Sequence, residues 1–272
     1  MLTSVVITNP QGVTLTLPLG DTSGGYEVRD IQGLDPVAAT VVSSVFANLD
    51  GEQEQSSHRG KRNIIFTLGY SSPAILELRK NLYKFFLPKS RIRMRFYAED
   101  LDMFYLEIYG TVETCTSPLF AKEPEATISV VCVDPDFYDP EPIAWHDSTT
   151  PYDTQSLLTY DGDVETGFKM IMNVDRTLPG ISIHHRTTSS GEKNYLIFNN
   201  PLVAGDVLTI STIPGKKSIT RTRGGTTTSI LYGLDPASVW TTLYPGSNYI
   251  KISSGGAPIA YTIEYTNRYG GL

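Results

Sequence analysis

The sequence predicts a mainly β protein with two β-sandwich domains, the first carrying one α-helix. Three observations predict it. Most of the chain alternates apolar and polar residues with period two, one stretch repeats at three and four, and a proline- and acid-rich stretch divides the chain.

The helix is expected over about residues 72–87. Ser71 or Ser72 can cap it, Pro73 sits near the first helical position where its missing N–H costs nothing, and Pro88 stops it. Ile75, Leu78, Leu82, Phe85 and Phe86 then share one apolar face. Strands follow. Arg91–Tyr97 puts Ile92, Met94 and Phe96 on one face and three arginines on the other. Phe104–Gly110 is its hairpin partner across the polar turn 98–102, and Ala126–Val133 is a third strand. Later strands are expected at 166–174, 181–185, 195–199, 207–212, 218–223, 249–253 and 261–266. Asp134-Pro135-Asp136-Phe137-Tyr138-Asp139-Pro140-Glu141-Pro142 opens a boundary running to about 152, because proline removes ladder donors and a central strand cannot pass. The domains are therefore 1–139, with the helix, and 140–272, all β. The first holds 12 Lys and Arg against 18 Asp and Glu; the second holds 10 against 11. Gly-Leu-Asp-Pro at 33–36 and 233–236 reads as two independent Asp-Pro turns, since the flanks differ.

Composition narrows the function classes. The chain has 272 residues and a net charge of −7, which argues against a protein built to wrap nucleic acid. No apolar run approaches the roughly 18 residues a membrane span needs. The N-terminus has no basic segment followed by an apolar one, so no signal peptide is expected. Two cysteines, Cys115 and Cys132, exclude a disulfide scaffold and a four-cysteine zinc site. Adjacent strands can bring them side by side, but two small core residues is the plainer reading.

Catalytic chemistry is not visible. There is no nucleophile elbow and no His-x-x-x-His pair, and Gly224-Gly225 and Gly255-Gly256 open no helix that would cradle phosphate. His184 and His185 are consecutive on a strand and point to opposite faces, so they do not share a metal. The acids Asp134, Asp136, Asp139 and Glu141 lack the turn glycine and spacing of a calcium loop. No catalytic residue, metal or cofactor is expected.

Candidate contact residues remain. Arg91, Arg93 and Arg95, spaced two apart, form a solvated face, meet carboxylates of a neighbouring chain, or touch nucleic acid in a lumen. The surplus acids of the first domain, Asp50, Glu52, Glu54, Glu99, Asp100 and Asp102, are the natural counterparts in a head-to-tail ring. The polar stretch Asn48–Asn63, with Glu52, Glu54, Arg59 and Lys61, is long for a hairpin tip and reads as a plain loop or as an arm that orders on assembly. Trp145 and Trp240 are either sugar platforms or packed residues.

Several motifs in order carry a family likeness. They are Tyr26–Pro36, Arg62–Leu68 followed by Leu78–Phe86, Val131–Asp139, Tyr160–Gly167, Gly205–Thr212 and Trp240–Asn248. Together they resemble the distal tail proteins of long-tailed bacteriophages, the siphovirus-type tail components. The resemblance implies a first domain that forms a hexameric ring and an outward-projecting, galectin-like second domain. It implies a structural virion protein at the tail tip, made in the host cytoplasm. Its partners would be itself, the tail tube protein and the tail hub, with tape measure or receptor-binding proteins beyond them, and DNA only passing through the lumen. Gly33, Gly162, Gly205, Gly246 and Asn248 would shape turns. The alternative is a carbohydrate-binding adhesin module using the second domain, although the galectin sugar-site pattern is absent.

Overall fold

The computed structural model of the chain describes residues 1–22, 24–47, 50–98, 105–118, 123–150, 154–187 and 193–272. It divides into two compact units. The first is Met1–Pro140 together with Tyr269–Leu272, and the second is Glu141–Arg268.

In the first unit the strands are β1 (Leu2–Thr8), β2 (Thr14–Pro18), β3 (Tyr26–Gln32), β4 (Ala39–Val45), β5 (Glu52–Arg59), β6 (Arg62–Tyr70), β7 (Arg91–Ala98), β8 (Tyr105–Thr116), β9 (Glu125–Cys132) and β10 (Phe137–Tyr138); α1 is Ile75–Phe85. Seven of them run β2-β1-β7-β8-β9-β6-β3 in one continuous sheet. Residues from both ends of that path, such as Leu17 of β2 and Leu68 of β6, share one buried cluster with Leu82, Phe85 and Phe86. The unit is therefore one sheet wrapped over one core, with α1 packed on it.

Period two explains the registers. On β7, Ile92, Met94 and Phe96 are buried while the arginines alternate outward. Met94 lies opposite Ile7 of β1 and Ile108 of β8, so the apolar rows align across three strands. The helix is shorter than the expected 72–87. The Ser72 hydroxyl accepts the Ala74 N–H at 3.3 Å, which makes a local turn, and the helix begins after Ala74 with no side-chain cap. The polar turn 98–102 lies almost wholly outside the described residues, but the antiparallel pairing of β7 with β8 is present. The proline-rich stretch does admit a strand, β10, of two residues only; it touches β8 through Tyr138 opposite Glu107. A short marginal strand avoids the ladder donors that proline removes.

The largest departure is residues 48–63. The structure replaces the expected loop with a hairpin of β4 and β5, a two-stranded sheet separate from the main one. Its sequence has no apolar alternation because every residue of β5 is exposed. Asn48 and Leu49 lie outside the described residues.

In the second unit the strands are β11 (Ile143–Ser148), β12 (Ser156–Tyr160), β13 (Lys169–Asn173), β14 (Ile181–Thr187), β15 (Lys193–Phe198), β16 (Val207–Ser211), β17 (Ser218–Arg223), β18 (Thr226–Ser229), β19 (Gly246–Ser253) and β20 (Ala260–Tyr265). They form a six-stranded sheet, β11-β20-β13-β16-β17-β18, and a four-stranded one, β12-β19-β14-β15. Met170, Ile210 and Ile263 of the first sheet share a core with Leu158, Ile183 and Ile250 of the second, which is the two-layer solution for strands with one apolar face.

Candidate functional site

The arginine face of β7 is real, and it carries a counter-ion the chain supplies itself. Antiparallel pairing sets Glu107 of β8 opposite Arg95 and Tyr109 opposite Arg93. The Glu107 carboxylate, 7% exposed, accepts the Arg95 Nε–H at 3.0 Å and the Tyr109 hydroxyl at 2.9 Å. Arg93 Nη1 lies 3.9 Å away, at the limit of an ion pair. Arg91 is exposed, its guanidinium 5.9 Å from the centre of the Tyr109 ring. Sequence reasoning missed Glu107 and Tyr109: their parity on the partner strand was the one signal, and only the register brings them to the arginines.

The other charged contact residues lie on or beside the hairpin. Glu52, Glu54, Arg59 and Lys61 are exposed. The Ser43 hydroxyl donates to Glu52. Arg59 donates to both oxygens of Asp136, at 2.5 and 3.0 Å, and Asp136 is fully buried. This anchors the base of the hairpin by a bidentate pair. Beyond that base the hairpin exposes Val41, Val42, Val45 and Phe46. Glu99, Asp100 and Asp102 lie outside the described residues.

Arg62, next to the hairpin, is almost wholly buried, at 1% exposure. Its guanidinium donates to the carbonyls of Pro135 at 2.6 Å, Gly33 at 2.5 Å, Asp35 at 2.7 Å and Gly270. It also stacks on Phe137, 4.6 Å from the ring centre. Gly33 has φ +85°, and a side chain there would run into the Asn63 carbonyl, so the turn that offers its oxygen to Arg62 requires glycine. Leu272 N–H donates to Leu34 O at 3.0 Å, so the chain terminus closes on the same turn.

Cys132 is buried and Cys115 half-buried, and both thiols are free. They are not side by side: Cys115 lies opposite Ile128, while Cys132 is four residues further along β9. Burial pushes their thiols up to about 11 for Cys115 and about 12 for Cys132, far from reactive. Among the described residues no group of three or more His, Cys, Asp or Glu is placed to hold a metal ion. Asp136 is taken by Arg59, and Asp134 accepts the Tyr138 hydroxyl.

In the second unit the histidines part as strand geometry requires. His184 is half-exposed, edge-on to Tyr195 with ring centres 5.1 Å apart; His185 is buried. Asn248 donates through Nδ2 to Tyr244 O and Gly246 O, which leaves its Oδ1 to accept from Tyr244 N–H and His185 Nε2 at 2.9 Å each. This assigns the proton to Nε2, so Nδ1 accepts from the Thr241 hydroxyl at 2.7 Å. Asn248 and its left-handed neighbour Gly246, φ +85°, thus shape a turn. Burial pulls the His185 pKa below its ordinary value. The folded state therefore disfavours the proton that the unfolded chain takes up below about pH 6.5, and stability is lost as pH falls from there. The stability of this unit, followed by fluorescence of Trp145 and Trp240 on unfolding, is expected to fall as the pH drops below about 6.5. His185→Gln is expected to flatten that slope. Asp206 does not confuse this window, because Arg223, bidentate at 2.6 and 2.8 Å, holds its carboxyl below the ordinary range.

Trp145 and Trp240 are both partly buried and packed on the second core. Trp145 tilts against Tyr261 at 6.1 Å, and the Lys217 ammonium stands 5.7 Å from the Trp240 ring centre.

Comparison with known proteins accords with this picture. Residues 161–269 match the family of siphovirus-type tail components, C-terminal domain. In fold, the chain is similar to the Dit protein of phage SPP1, described as a paradigm of the hub adsorption apparatus in phages infecting Gram-positive bacteria. The TM-score is 0.69 at 14% identity, covering 97% of this chain and 98% of that one. It is also similar to a chain of the phage P2 baseplate in its activated conformation with Ca, with a TM-score of 0.50 at 10% identity, covering 100% of both chains. No curated protein sequence matches it. The family expected from the motifs is matched over most of the second unit, and the distal tail fold over nearly the whole chain.

Proposed function

We propose that this chain, whose residues 161–269 carry the C-terminal domain of the siphovirus-type tail components, is a structural subunit of a phage tail tip. Six copies form a ring through their first units, joined to the tail tube on one side and to the host-recognition hub on the other. The ring leaves a channel for DNA, and the work is mechanical, with no bond broken.

One observation supports self-assembly above the others. The hairpin of β4 and β5 is a separate two-stranded sheet with almost every side chain in solvent. A two-stranded hairpin is at best marginally stable in water by itself. Its exposed Val41, Val42, Val45 and Phe46 are apolar surface without a function in one copy. Laid on a neighbouring copy, they supply the apolar burial, while Glu52, Glu54, Lys61 and the arginines Arg91, Arg93 and Arg95 set register and partner choice. The contact is heterologous, hairpin to a different surface, which is the kind that generates rings.

Mass in solution and electron microscopy test this. Rings of six are expected from the purified chain or from the chain mixed with tail tube protein. Its absence from purified virions would sink the proposal.

A further inference from the structure

Among the described residues, the three guanidinium groups of the β7 face, Arg91, Arg93 and Arg95, meet one carboxylate, Glu107. Both Glu107 oxygens are already engaged, one by Arg95 and one by Tyr109. Arg93 Nε is shielded from solvent and has no acceptor among the described residues. A shielded guanidinium N–H without an acceptor among the described residues leaves Arg93 with hydrogen-bonding capacity for a further partner.

Arg91 and Arg93 also line a cleft. It measures about 360 Å³ and is lined by Thr8, Asn9 and Pro10 on one side and by Arg91, Arg93 and Tyr109 on the other. Asn9 is already spent on the local turn, accepting from Gln11 N–H at 3.1 Å and Val13 N–H at 2.9 Å. The chemistry left for a ligand is two guanidinium groups over an aromatic wall. That suits a carboxylate on a short apolar stem.

We propose that this cleft receives the Glu54 carboxylate from the hairpin of a second copy, seated between Arg91 and Arg93. Charge complementarity favours this occupant. Glu54 is exposed and makes no hydrogen bond or ion pair among the described residues, whereas Glu52 is held by Ser43. The surrounding hairpin also brings the apolar residues that need cover. The inference rests on the ring reading and deepens it, since it says where one subunit ends and the next begins.

Glu54→Cys and Arg91→Cys variants of the full chain test it, alone, mixed, and combined in one chain. Both positions are exposed, so folding should survive, checked by circular dichroism. Cys115 and Cys132, with thiols held protonated by burial, give little background. Under mild oxidation the mixture is expected to yield a 54–91 disulfide-linked dimer, the double variant a covalent ladder, and each single variant neither. Arg91→Glu is expected to weaken assembly on the order of tenfold, and adding Glu54→Arg to restore it. Wild-type rings with no 54–91 bond, and with Arg91→Glu assembling normally, would overturn the inference while leaving the ring reading intact. A wild-type chain that forms no ring, alone or with tail tube protein, removes both.

Discussion

Arg62→Met is expected to destabilise the first unit by about 3–5 kcal/mol, the range for breaking a buried charged network from one side. The guanidinium stays ionised at any pH of interest, although burial pulls its pKa below the ordinary value and Asp136 nearby opposes that pull. It tolerates burial because four carbonyls and the Phe137 ring replace water. Removing it orphans the carbonyls of Gly33, Asp35, Pro135 and Gly270 together. Those residues come from the turn after β3, the stretch after β9 and the chain terminus, so one side chain holds three distant segments. Arg62→Lys should recover only a minor part, since an ammonium cannot span the fork of acceptors. The measurement can separate the units: both tryptophans, Trp145 and Trp240, belong to the second. Far-ultraviolet circular dichroism should show an early transition in urea while tryptophan fluorescence is unchanged. Hydrogen exchange should rise at Leu272, whose N–H closes on Leu34 O. A loss of less than about 1 kcal/mol would mean that water replaces the guanidinium without cost, and the clamp would be incidental.

What could be read from the chain follows from where its signals are local. β7 and β8 were legible because Ile92, Met94 and Phe96 alternate with arginines, and burial on one face fixes the register. The helix core was legible from Leu78, Leu82 and Phe85, while its first turn was not, because Ser72 spends its hydroxyl on a turn. The hairpin of β4 and β5 left no pattern, since a strand solvated on both faces has no reason to alternate. The Arg62 clamp was invisible for a different reason. Its acceptors are backbone carbonyls, which every residue carries, and only the fold selects Gly33, Asp35, Pro135 and Gly270. The return of Tyr269–Leu272 to the first unit is likewise a property of topology and not of composition. The arginine face was the intermediate case. Its charges were plain in sequence, but the Glu107 that accepts from Arg95, while Arg93 Nε has no acceptor among the described residues, required the register.

Excising the hairpin should separate folding from assembly. Replacing residues 41–57 by a two-residue Asn-Gly turn joins Thr40 to its cross-strand partner His58. Among the described residues removed no side chain is buried: all are exposed apart from the half-buried Ser44. Arg59 is retained, so Asp136 keeps its bidentate partner. The urea midpoint of the first unit is therefore expected to stay within about 0.5 kcal/mol of the parent, as for surface changes generally. Assembly is another matter. Val41, Val42, Val45 and Phe46 would each contribute about 1.5–3 kcal/mol if fully buried against a neighbour, less where exposure persists. Losing all four at every contact should lower the association constant by several orders of magnitude. Sedimentation should then show only monomer at concentrations where the parent forms rings. The variant should also fail to incorporate when supplied in place of the parent during phage growth. Rings that persist without the hairpin would show that the subunit contact lies elsewhere, and that the exposed valines serve a partner other than this chain.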